Sequence, residues 1–88
     1  MKAFLFILFL LSNSLNPVLS QSNLLESVKK NPGEAKNICN KFREFNSKGI
    51  SASSDKVIEY VSKKNNLTPI NAEIFSIYVI GLHCPDII

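Results

Sequence analysis

The stretch from Ile70 to Leu82 constrains this chain more than any other, because nine of its thirteen residues are apolar and fall on every side of a helix. A helix that is apolar all round is a central one, with other elements laid against it. Thr68 and Pro69 supply a capping hydroxyl followed by proline at the first helical position. The rival reading is a buried strand, since Ile74 to Ile80 is rich in β-branched and aromatic residues. Helix is favoured because the cap is well formed and no second segment offers a strand for pairing.

The other end of the chain is equally uneven. Met1-Lys2 carries a positive charge, Ala3 to Leu11 is an unbroken run of nine apolar residues, and Ser12 to Ser20 is polar and contains Pro17. These are the three regions of a secretory signal, and Val18 and Ser20 at −3 and −1 place peptidase cleavage between Ser20 and Gln21. An uncleaved anchor is the alternative, but nine residues at about 1.5 Å each cover less than half of a roughly 30 Å hydrocarbon layer. The expectation is a signal peptide over residues 1–20 and one small helical domain over 21–88, with its core at about 32–85. The processed chain is expected to be secreted or periplasmic, with no stable membrane span.

A domain of 68 residues buries only about 60% of its unfolded surface and usually needs a covalent, metal or oligomeric supplement. Cys39 and Cys84 are the only cysteines, and an exported chain meets an oxidising compartment. A Cys39–Cys84 disulfide is therefore expected. A zinc site would need three or four ligands, and only His83 and Asp86 lie near Cys84, so no metal is expected.

Three further helices complete an all-α bundle of three to four helices behind the signal helix. Ser22 can cap a short segment running to about Lys30, with Leu24, Leu25 and Val28 on its apolar side. Asn31, Pro32 and Glu34 resemble a capping box at the start of the next, where the acid could reach back to the cap. Its apolar residues Ala35, Ile38, Cys39, Phe42 and Phe45 fall within an arc of about 120°. Gly49 is placed to end this helix in a left-handed turn, with Ile50 folding back. Ser51 to Asp55 offers caps for a helix buried through Val57, Ile58 and Val61 and ending near Asn65 or Asn66. Glu26 with Lys30, Glu44 with Lys48, and Glu59 with Lys63 each put an acid four residues before a base, the favourable order on a helix surface.

Cys39 on a helix, Gly49-Ile50, Val57, Leu67 before a cap, Ala72, Phe75 and Cys84-Pro85 together give a resemblance. Over roughly Pro32 to Pro85 the chain resembles domain-of-unknown-function family 732, small exported proteins with a signal peptide and a helical domain bearing one Cys near each end. Where that family commonly has an aromatic or aliphatic residue before the last Cys, this chain has His83. The resemblance implies the helical fold and the disulfide, and no activity.

The residues offer little to catalysis. His83 is the only histidine, the seven acids form no recognisable pair, and three scattered glycines make no phosphate-binding loop. No catalytic residue and no cofactor is expected. His83 is read instead as a helix C-terminal residue stabilised by the dipole. Without Lys2 the chain has nine basic and seven acidic residues, a modest excess, and its Phe42, Phe45 and Phe75 lie in core stripes rather than interleaved with bases. Nucleic acid is thus not an expected partner. Asn66-Leu67-Thr68 matches the glycosylation triplet, weakened by Pro69.

What exceeds a bland helical domain is the central helix, whose apolar circumference is larger than two or three short helices can cover. Part of Ile74, Ile77 or Ile80, with Ile87 and Ile88, is expected to stay exposed as a patch for a protein or lipid partner, unless Leu24, Leu25 and Val28 cover it. The leading expectation is an exported, non-catalytic binding or structural component of the envelope or secretome. The alternative is a secreted membrane-active or antagonistic peptide.

Overall fold

The computed structural model of the protein describes residues 21–88, so the expected signal segment lies outside the described residues. Four α-helices follow one another: α1 (Gln21–Lys30), α2 (Pro32–Ser47), α3 (Asp55–Asn65) and α4 (Pro69–His83). No strand occurs among the described residues, and the apolar Ile70 to Leu82 segment is helical as its cap signals. The Thr68 hydroxyl accepts from the Asn71 N–H at 3.2 Å, and Pro69 fills the first helical position. α4 packs against each of the other three helices and is the hub of the fold.

Each helix brings one stripe to that hub. α1 contributes Leu24 and Val28, α2 contributes Ala35, Ile38, Cys39 and Phe42, and α3 contributes Val57, Ile58 and Val61. They close around Ala72, Phe75, Ser76 and Val79 of α4, all buried. Phe45 packs edge-on against Tyr60 with ring centroids 6.0 Å apart, and the Lys41 ammonium sits 5.3 Å from both rings. The Cys39–Cys84 disulfide is formed and lies inside this core, joining α2 to the residue that ends α4.

The turns follow local chemistry, with two departures from expectation. α2 ends in a full Schellman motif: Ile50 N–H donates to Phe45 O and Gly49 N–H to Asn46 O, both at 2.9 Å, with Gly49 at φ 78°. Ser54 caps α3, and Asn66 closes it in the left-handed conformation at φ 55°. Asn31 behaves differently. Its side chain makes no capping bond to α2 but donates from Nδ2 to Ser27 O at 2.8 Å, so it satisfies the end of α1 instead, and Glu34 does not complete a box. One residue between two helices serves one with its side chain and the other with its carbonyl, which accepts from Ala35 N–H at 3.0 Å. The second departure is at Ser22, which lies inside α1.

Two of the three expected helix-surface ion pairs are present, Glu44 to Lys48 at 3.6 Å and Glu59 to Lys63 at 3.5 Å. Glu26 and Lys30 are both exposed and form no ion pair among the described residues. Such pairs contribute only a few tenths of a kcal/mol, too little to hold two solvated side chains together at every site.

Candidate functional site

α4 is covered on one side and open on the other. At 100° per residue, Ala72, Phe75, Ser76 and Val79 share the buried face, while Ile70 and Ile77 lie nearly opposite. Ile77 is 61% exposed and Ile70 71% exposed. Ile74 and Ile80 flank that outer stripe, half-buried, with one edge on the core. Leu24 and Val28 of α1 are spent on the core and do not cover Ile77. Of the two tail residues expected to join the patch, Ile88 is exposed and Ile87 is half-buried against the core.

Beside this stripe runs a shallow groove of about 130 Å³ between α3 and α4. Ile58 forms its α3 wall, Ile77 and Ile80 its α4 wall, and Ala52 and Ser53 its end. Glu73 stands at its edge as the one charged lining residue. Ser76 also lines it, 3% exposed, and its hydroxyl has no hydrogen-bond partner. A buried hydroxyl without a partner is costly, about 1–3 kcal/mol. On the far side of Ile58 lies a wider, charged depression of about 500 Å³, bounded by Lys56, Glu59, Lys63 and Pro69.

Of the residues singled out in the sequence, Cys39 and Cys84 are brought together as a bond, and Ile77 and Ile80 line one groove. Ile74 shares their helix but not the groove. His83 is exposed in the last turn of α4, and Asp86 pairs with Arg43 at 3.3 Å. No group of three or more His, Cys, Asp or Glu side chains able to hold a metal occurs among the described residues, nor does any helix long and apolar enough to cross a membrane. Sequence reasoning missed Ser76, Ala52 and Ser53. The signal for Ser76 was a lone hydroxyl in an apolar run; for Ala52 there was none, since its burial comes from a loop path that periodicity does not report.

No curated protein and no solved structure matches the chain. A family match does exist, over residues 25–84, and it corrects the resemblance drawn above: the family is not number 732. The positions that suggested 732 are those that any stapled helical bundle of this plan requires. Gly49-Ile50 builds a helix end, Cys39 and Cys84 a cross-link, and Ala72 and Phe75 a core contact. They report the architecture and not the lineage. The chain belongs to the family described as Domain of unknown function (DUF8664).

Proposed function

We propose that this protein is exported and works by binding, without catalysis, as a component of the envelope or secretome, and that the outer side of α4 is its contact surface. The observation that carries this reading is Ile77, a large apolar side chain left 61% exposed beside a groove that contains a buried, unpartnered hydroxyl. A large apolar side chain left in water beside a groove favours a partner that covers it. The buried disulfide and the apolar run of residues 3–11 support export.

A photo-crosslinking residue at position 77, compared with one at the exposed Lys36 of α2, tests this in the compartment where the protein resides. Adducts of discrete mass formed at 77 and absent at 36 support the reading. Equal, diffuse labelling at both positions refutes it. Release of dye from anionic vesicles by the processed protein, lost in Ile77→Asp, would point instead to the membrane-active alternative.

A further inference from the structure

α1 is matched to its dipole at one end and bare at the other. Lys29 and Lys30 stand in its last turn, where cations are favoured. Its first turn, Gln21 to Leu24, holds no acidic residue, and the first acid of the helix is Glu26. That turn matters to the fold, because Leu24 is buried in it and belongs to the core. At 10 residues α1 is shorter than a helix that stands alone in water, so each turn depends on its docking.

Cleavage between Ser20 and Gln21, part of the export reading on which this inference rests, creates an α-amine at the first residue of α1. Protonated, that amine sets a full positive charge on the positive end of the helix, with no carboxylate in the turn to offset it. The N–H groups of a first helical turn have no acceptor within the helix, so α1's own hydrogen bonds do not hold the amine. The residue that carries it is glutamine, which by covalent connectivity alone brings a carboxamide carbon within ring-closing reach of its α-nitrogen.

We infer that Gln21 is a modification site, where the processed chain closes to an N-terminal pyroglutamyl ring. The α-nitrogen bonds to the carboxamide carbon Cδ, the Cδ–Nε2 bond breaks, and ammonia leaves with the proton that the amine gives up. No oxidant, cofactor or second reactant is needed. The product is a neutral lactam, so the charge opposed to the dipole is gone and the first turn of α1, with Leu24, is held more firmly. The ring also denies an aminopeptidase the free amine from which it would trim α1.

Intact mass of the oxidised protein recovered from outside the cytoplasm tests this. The expected mass is that of residues 21–88 less one ammonia, with stepwise N-terminal sequencing blocked until pyroglutamyl peptidase is added. Gln21→Asn is one methylene shorter and makes too strained a ring to close, so it should keep its full mass and an open amine. It should also melt a few degrees below the parent, and the gap should narrow in salt, as a charge acting on a helix end requires. A chain beginning at Gln21 with full mass and a sequenceable amine overturns the proposal and leaves export standing. A chain beginning elsewhere overturns both. Equal melting of the parent and Gln21→Asn overturns the part assigned to the ring in α1.

Discussion

The side-chain amide of Asn46 engages both backbone groups of Ile88, donating from Nδ2 to its carbonyl at 3.1 Å and accepting at Oδ1 from its N–H at 3.0 Å. The same nitrogen donates to Ile50 O at 2.9 Å, and Ala52 N–H donates to Ile88 O at 2.8 Å. One α2 side chain therefore ties together the end of its own helix and the segment that follows α4. Replacing Asn46 by Ala removes three bonds in a partly exposed setting and should cost about 1–2 kcal/mol. Thermal melting should fall by several degrees, and the Ile88 and Ala52 amides should exchange faster with solvent. Arg43→Ala, which removes only the exposed pair with Asp86, should leave the melting temperature nearly unchanged.

Loss of the disulfide should be far more damaging. The bond joins residues 45 apart in sequence, and in the chain-entropy model a loop of that length is worth about 4 kcal/mol, comparable to the whole stability of a small domain. Cys39→Ser with Cys84→Ser is expected to be largely unfolded at 37 °C by circular dichroism. Since both sulfurs are buried, alkylation after mild reductant should be slow in native buffer and fast in denaturant. Rapid native alkylation would mean the core opens around the bond.

Two glycines should respond to alanine with opposite signs. Neither Gly49 nor Gly81 has an atom from elsewhere in the fold within 4 Å of where a Cβ would stand, so local backbone conformation decides both. Gly49 has φ 78°, where an L side chain costs about 1–2 kcal/mol, and Gly49→Ala should destabilise by about that much. Gly81 lies inside α4, where Ala is favoured by roughly 0.5–1 kcal/mol, and Gly81→Ala should stabilise. Paired denaturant titrations read both.

Ile77 and Val79, two residues apart on α4, should separate surface from core. Val79→Asp puts an unpaired charge at a fully buried position and should unfold the domain. Ile77→Asp should leave the helical spectrum and melting temperature close to the parent, because its side chain already faces water. If Ile77→Asp unfolds the protein, its exposure is wrong and the contact surface with it.

If residues 1–20 are a signal, the exported form begins at Gln21. Intact mass and N-terminal sequencing of protein recovered from outside the cytoplasm decide this. A species still carrying Phe4 to Leu11 would establish an anchor instead.

The helices could be read from the sequence because their determinants are local. Pro69 after Thr68, Gly49 before Ile50 and the spacing of Ala35, Ile38, Cys39 and Phe42 each act within a turn or two. What the sequence hid are choices among partners. Asn31 had an oxygen for α2 and a nitrogen for α1, and only the angle of the chain between the helices selects the second. The site was half visible for the same reason: apolar excess on α4 announced that something would stay exposed, but which of Ile74, Ile77 and Ile80 depended on where the other helices came to rest.

No other helix packs as extensively against the rest as α4 does, and that sets an order of events. During synthesis, residues 21–68 emerge with apolar stripes that have no hub to close on, and Cys39 has no Cys84 to meet. The cooperative unit exists only once Pro69–His83 has been made. A chain built this way stays threadable until α4 arrives, so if the protein is exported as proposed, the same helix that organises the folded domain acts beforehand, by its lateness, as a timer that keeps the polypeptide open for passage through a translocation pore.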